Sequence, residues 1–262
     1  MSLRINSDFN GVTDPDAGAY IAAVEAADGQ LLEFAVGKAI NDFVVGCKAD
    51  GIWNAIKASC ILAGARTLSG ALTPLAGTAP TNNGFIGIGT DYDRKTGLVG
   101  NGSTKYLNSN RANNADPQDN AHISCYISSI TTNNVYIGCN QSAGGFSAIS
   151  RNLNAGLILQ TRGPDNAIPT VNSHLTTGFK GASRSGASTI IRRFDGSTTT
   201  ASLSSTATNA TTYFVFAQNT GSGTVGFNNG RIAFYSIGES LDLAKLDARV
   251  TALINAFGAA IP

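Results

Sequence analysis

Ala121-His122-Ile123-Ser124-Cys125-Tyr126-Ile127-Ser128 alternates at period two, with Ile123, Cys125 and Ile127 on one side and His122, Ser124, Tyr126 and Ser128 on the other. That pattern is a strand with two unlike faces. Outward from it, between residues 95 and 238, turn chemistry recurs roughly every eight to twelve residues. Further strands are predicted at 134–139, 155–161, 188–194, 211–217 and 231–237. Thr131-Thr132-Asn133 reads as a hairpin loop between the first two strands, and Asp195-Gly196 and Asn229-Gly230 are strong turn pairs. Regular short strands with no helix between them predict a β-sandwich or jelly roll.

The flanks read differently. Asp14-Pro15-Asp16 is a helix start, with Asp14 as cap and Pro15 at the first helical position. Tyr20, Ile21, Val24 and Ala27 follow at helical spacing, and Asp28-Gly29 closes the segment. A second helix is predicted over 31–48 on the stripe Leu32, Val36, Ile40, Phe43 and Cys47, with Val44 beside it and Asp50-Gly51 at its end. A short third helix is predicted over 52–58. It carries the single tryptophan, Trp53, read as a core anchor between helices, with ligand stacking as the other reading. Residues 66–93 are rich in Thr, Gly, Ala and Pro and read as an extended connection with one or two strands. The C-terminal segment returns to helix: Ser240 as cap, then Leu243, Leu246, Val250, Leu253, Ile254 and Phe257, with Gly258 as the stop. Its single stripe fits against the sandwich or a neighbouring subunit.

At 262 residues the chain is long enough for one large domain or two small ones. Charged residues make up only 13%, about half the usual share, and the formal net charge is +1. That balance argues against a general nucleic-acid binder. No apolar run approaches the length of a membrane span, and Met1-Ser2-Leu3-Arg4-Ile5-Asn6 has no apolar stretch behind it, so neither a membrane segment nor an export signal is expected. Cys47, Cys60, Cys125 and Cys139 show no C-x-x-C spacing, which argues against zinc. Two arrangements stay open: one disulfide between Cys125 and Cys139 across a hairpin, or four reduced, mostly buried thiols.

No catalytic motif emerges. His122 and His174 have no histidine at metal spacing and no G-x-S-x-G nucleophile elbow, so both read as surface or half-buried strand residues. The glutamates are Glu25, Glu33 and Glu239, and no strand carries the paired carboxylates of a retaining glucanase. Asp91 and Asp93 offer two oxygens to calcium, but turn- and cap-forming roles suit them as well, and the Asp116–Asp119 stretch reads as a turn before a strand. Gly221-Ser222-Gly223-Thr224-Val225-Gly226 matches G-x-G-x-x-G, yet a strand follows it and not a helix, so it reads as a β-turn. Lys180, Arg184, Arg192 and Arg193, flanked by Phe179 and Phe194, are the one local basic excess. They read as a solvated strand face or a contact with an acidic neighbouring subunit, ahead of a nucleic-acid patch.

The stretch Phe43-Val44-Val45-Gly46-Cys47-Lys48-Ala49-Asp50-Gly51-Ile52-Trp53-Asn54-Ala55-Ile56-Lys57-Ala58 resembles a segment of a family of bacteriophage virion structural proteins. Gly97-Leu98-Val99-Gly100-Asn101-Gly102-Ser103-Thr104-Lys105-Tyr106-Leu107, Asn120-Ala121-His122-Ile123-Ser124-Cys125-Tyr126 and Gly230-Arg231-Ile232-Ala233-Phe234-Tyr235-Ser236-Ile237-Gly238 fit the same template. The resemblance implies a short helical N-terminal region before a concanavalin A-like, laminin-G-like jelly roll. Cys60-Ile61-Leu62 departs from it, standing where relatives often carry an aromatic and a proline. The family has no agreed catalytic residues to carry over.

The expected architecture is mainly β: an arm and helical subdomain (1–65), an extended connection (66–93), and a jelly roll with a C-terminal helix (94–262). The expected role is a non-catalytic virion protein, tail or tail-fibre associated, made in the host cytoplasm, with no cofactor, bound metal, nucleic acid or membrane. Its partners would be other virion proteins and copies of itself, a trimer among the options, with residues 1–13 as a docking arm. Two alternatives accompany it. One is a capsid decoration protein. The other is a receptor-recognition module that binds a host surface glycan through loop aromatics such as Tyr92, Tyr106 or Phe146.

Overall fold

The computed structural model describes residues 11–130, 134–141, 144–152, 156–165, 170–171 and 176–262. The Asp14 carboxylate accepts from the Asp16 and Ala17 amides at 2.9 and 3.3 Å, and helix α1 (Pro15–Asp28) ends at a left-handed Gly29 with φ 69°. Helix α2 (Phe34–Ala49) buries Val36, Ile40, Phe43, Val44 and Cys47, as its spacing predicts. It begins at Phe34 and not at Leu31, because Glu33 turns its carboxylate away from the helix to Arg94 (2.9 and 2.6 Å) and Arg66 (3.2 Å).

The segment 52–58 is not the expected helix. A 3-10 turn, Trp53–Ala55, leads into strand β1 (Ile56–Ile61). Pairing with a distant strand outweighs the weak local helical pattern. Trp53 is therefore half-buried, packed against the edge of the core with Lys48 Nζ 5.8 Å from its ring centroid, and is not the expected fully buried anchor between helices.

The remaining elements are α3 (Leu68–Ala71), β2 (Thr81–Asn83), β3 (Tyr92–Asp93), β4 (Gly97–Val99), β5 (Tyr106–Ala112), β6 (Ala121–Ser129), β7 (Asn134–Gln141), β8 (Gly144–Asn152), β9 (Gly156–Gly163), β10 (Thr170–Val171), β11 (Gly178–Arg184), β12 (Thr189–Phe194), β13 (Ser197–Ser202), β14 (Thr212–Val215), β15 (Gln218–Asn219), β16 (Thr224–Val225), β17 (Arg231–Gly238) and α4 (Leu243–Ala260). Among the described residues they form two sheets. The first has eight strands in the order β13-β12-β11-β6-β17-β4-β3, with β1 also on β17. The second has nine, in the order β10-β9-β8-β7-β14-β5-β2, with β15 on β7 and β16 on β15. The protein is thus a mainly β, jelly-roll sandwich with N-terminal helices and a C-terminal helix.

Strands β6 and β7 lie in different sheets, so the expected hairpin between them is a crossover; its loop, 131–133, lies outside the described residues. The inward side of a jelly roll is filled from both sheets, and sending consecutive strands to opposite layers achieves this. Cys125 and Cys139 therefore belong to opposite sheets; all four cysteines are free and buried. Burial pushes the Cys139 thiol up to about 12, and the hydrogen bonds it receives from Asn113 and Tyr213 only partly offset that.

Helix α4 is capped by Asp242, not Ser240: its carboxylate accepts from Ala244 and Lys245 at 2.9 and 3.2 Å. The helix continues through Gly258 to Ala260. Its stripe from Leu243 to Phe257 is buried as expected, against the sandwich and against α2. Contact is close at Gly181 of β11, where an added Cβ would stand 2.9 Å from Leu243 Cδ2. From α2, Phe43 meets Phe234 of β17 edge-on at 5.8 Å.

Phe257 is fully buried, and its ring fills the space beside Gly64. Phe257→Ala is expected to cost about 3–5 kcal/mol. In a chain of this size that lowers the melting temperature by roughly 6–20 °C in a calorimetric scan.

Candidate functional site

Helix α4 crosses the first sheet without covering all of it, and the uncovered strip is a groove of about 590 Å³. Tyr126 of β6, Lys180 of β11, Arg193 of β12, Asp195 of the β12–β13 turn, and Asp247 and Asn255 of α4 line it. The Asp195-Gly196 turn takes left-handed φ values of 49° and 71°, matching a tight two-residue hairpin, and this brings the Asp195 carboxylate to Lys180.

Each cation in the groove has its own carboxylate. Lys180 Nζ lies 2.7 Å from Asp195 Oδ1, although the lysine side chain is fully buried. Burial pushes the Asp195 carboxyl up, but hydrogen bonds from Lys180 and Thr176 outweigh it and hold the group below its ordinary value. Arg193 Nε lies 2.8 Å from Asp247 Oδ2, and Thr251 donates to the other Asp247 oxygen at 3.0 Å. Burial, reinforced by the Asp247 charge, raises the Tyr126 phenol. Neither Tyr126 nor the exposed Asn255 amide hydrogen-bonds within the described residues. The groove is thus charge-balanced, with free hydroxyl and amide groups beside a half-buried aromatic ring. Such a lining suits a neutral, hydroxyl-rich ligand.

The basic cluster read from sequence is not a solvated face. Lys180, Arg184 and Arg192 are buried, and of the four only Lys180 and Arg193 line the groove. Arg184 donates to Thr161 O (3.2 Å) and Leu203 O (2.8 Å), and Arg192 Nε donates to Leu159 O (3.0 Å). Both side chains run from the first sheet to β9 of the second, and desolvation lowers both pKa values. From β9, the equally buried Arg162 reaches Asn113 O at 2.6 Å and Pro117 O. Period two carried the missed signal: Arg192 alternates in step with Ile190 and Phe194, both buried.

The other sequence candidates disperse. Tyr92 is buried and donates to Ala65 O at 2.7 Å. Phe146 is buried, and Tyr106 is half-buried against Phe214 at 4.5 Å. These three do not form a loop rim. Asp91 accepts from the Ile86 amide and Lys105 Nζ, while Asp93 caps the turn through the Lys95 and Thr96 amides. Asp116 is buried and clamped by Arg111, so it does more than shape a turn. No group of three or more His, Cys, Asp or Glu converges among the described residues. The glycine-rich 221–226 stretch begins in the turn after β15, as read from sequence, and holds the short strand β16 within it. His174 lies outside the described residues.

His122 is not at the surface; it is fully buried. Its Nδ1 lies 2.5 Å from Glu239 O, which can only accept, so the proton sits on Nδ1 and Nε2 accepts from Ser236 Oγ at 2.7 Å. Burial lowers its pKa to about 4, against which the Glu239 hydrogen bond works only in part.

No protein-family model matches the chain, and no curated protein does. Among solved structures, the chain is similar to the botulinum neurotoxin serotype D binding domain, with 11% identity and a TM-score of 0.50 over 79% of this chain and 52% of that one. It is also similar to domain 4 of an extracellular arabinanase from Geobacillus stearothermophilus in complex with arabinotriose (12% identity, TM-score 0.40, 66% of this chain and 82% of that one). A third similar structure is a mouse laminin alpha1 chain fragment (14% identity, TM-score 0.38, 65% and 47%). The chain spans about half the length of the neurotoxin domain. Sheet order and the neurotoxin likeness together define a jelly-roll fold.

The His122 geometry sets a pH dependence. Its folded pKa lies below the unfolded value near 6.5, so the unfolded state binds the extra proton between about pH 6.5 and 4. The stability it contributes is complete above that window and falls by about 3 kcal/mol as pH drops through it. Urea midpoints measured at pH 7.5 and pH 4.5 are expected to differ more in the wild type than in His122→Gln.

Proposed function

We propose that this chain is a non-catalytic structural protein of a bacteriophage particle, tail or tail-fibre associated, whose sandwich recognises a host surface glycan in the α4 groove. The groove carries the reading: its charges are internally paired, and Tyr126 and Asn255 remain free to meet a neutral sugar. An aromatic face takes the C–H face of a pyranose, and the amide takes hydroxyls. The fold shared with a toxin binding domain supports a recognition role by analogy alone. The resemblance of residues 43–58 to phage virion proteins supports the particle. The low charge density supports close packing of copies, since few charges need desolvation at an interface.

The binding test is an array of bacterial surface oligosaccharides, read with wild type, Tyr126→Ala and Asn255→Ala. Binding in the wild type, weakened about tenfold by either substitution, is expected from the loss of one ring contact or one hydrogen bond. A silent array, or binding indifferent to both substitutions, overturns the groove. Peptide mass spectrometry of purified particles tests the particle separately. Abundance at several copies per tail is expected, abundance at capsid copy number favours decoration, and absence overturns the virion reading.

A further inference from the structure

Strand β13 ends the first sheet, and it is unlike the other sheet ends. The terminal strands β2, β3 and β10 span two or three residues, and β1 is covered on its free side by Leu75 and Ala76, whose amides bond Ser59 O. Strand β13 is six residues, Ser197-Thr198-Thr199-Thr200-Ala201-Ser202, paired along its full length with β12 and without a bulge. Five of the six are exposed and Ala201 is half-buried, so neither face is well covered. It holds no charge and no proline. Protein edges are ordinarily blunted by short length, lysine, proline or a bulge, and this one has none of those devices.

The direction of its free hydrogen-bonding groups follows from its neighbour. Leu203 N donates to Ser188 O at 2.9 Å, so Leu203 and, by alternation, Ala201, Thr199 and Ser197 point their amides at β12. Thr198, Thr200 and Ser202 then present N–H and C=O to the open side. No described residue bonds them there.

We propose that this open edge pairs antiparallel with the same edge of a second copy. A two-fold axis through Thr200 places Thr200 opposite itself, Thr198 opposite the second copy's Ser202, and Thr199 opposite its Ala201. In that register every outward amide meets an outward carbonyl, and every facing pair is small and uncharged. A partner carrying any charge pattern would gain nothing from a strand with no charges, whereas self-pairing needs only backbone complementarity and tolerance of like beside like. The net charge of +1 adds little repulsion between copies. The eight-stranded sheet becomes continuous across the pair. A six-residue edge is a small interface, so the pairing is concentration-dependent in solution and is completed where copies are held together. The inference stands apart from glycan binding and bears on assembly only.

The test is the solution mass of the full chain by light scattering from micromolar to about 1 mM, for wild type, Thr200→Pro and Thr200→Val. The Thr200 amide is outside the internal ladder, so proline removes the outward donor and leaves the β12–β13 pairing intact; an unchanged melting curve verifies this. Wild type and Thr200→Val are expected to rise from monomer to dimer, with the midpoint shifted at least tenfold upward in Thr200→Pro. A wild type that stays monomeric throughout overturns the proposal, as does a dimer indifferent to Thr200→Pro. So does a trimer, since an isologous edge closes at two. Glycan binding by Thr200→Pro on the same array separates failure of this edge from failure of the groove.

Discussion

Strand β17 is the piece on which the other parts converge. One side pairs with β6 along its length; the other is divided, with β4 opposite Arg231 and Ile232 and β1 opposite Phe234 through Gly238. Ser59 Oγ donates to Tyr235 O at 2.7 Å across a separation of 176 residues. Space there is so short that only glycine fits at two positions: a Cβ on Gly97 would meet Ile232 O at 2.2 Å, and one on Gly238 would meet Ala55 O at 2.1 Å. Because β17 comes late in the chain, β1 and β4 have no central neighbour until it is in place. Such distant pairing makes the closing step of folding slow relative to helix formation.

The second constraint is the set of buried cations. Arg162, Arg184 and Arg192 spend their guanidinium groups on backbone carbonyls of the facing layer or of the loop before β6. Buried charge carries a desolvation cost that an apolar side chain would not, so the gain lies in registering one sheet on the other and not in raw stability. Lys180 differs, because its partner is the partly exposed Asp195 carboxylate and the ion pair forms part of the groove lining.

These features differ in how far they can be read from residue order. Strands with apolar alternation, such as β6 and β17, and helices with caps and stripes, such as α1 and α4, announce themselves through periods that local geometry imposes. Strands β8, β11 and β13 are rich in Gly, Ser or Thr; the strand state of β8 and β11 comes from neighbours on both sides and that of β13 from β12 alone, not from their own pattern. Strand β1 follows two helices and looks helical until β17 is known. The groove was illegible for a related reason. Its residues come from β6, β11, the β12–β13 turn and α4, and only the docking of α4 brings Asp247 and Asn255 to Tyr126. Similarly, a Lys/Arg excess reads as surface unless its period-two phase is compared with flanking core residues.

Arg193 joins the two surfaces of greatest interest. Its Nε holds Asp247 on the wall of the groove, and its terminal nitrogen donates to Thr198 Oγ1 on the edge strand at 3.1 Å. The wall has a further fixed point where Arg249 of α4 bonds Asp50 at the end of α2 at 2.7 Å. Helix α4 is thus tied at one place to the sheet and at another to the helices, and its apolar stripe is buried between them. Those ties set the groove's width. Through Arg193 the edge strand β13 and the groove wall on α4 thus share one guanidinium.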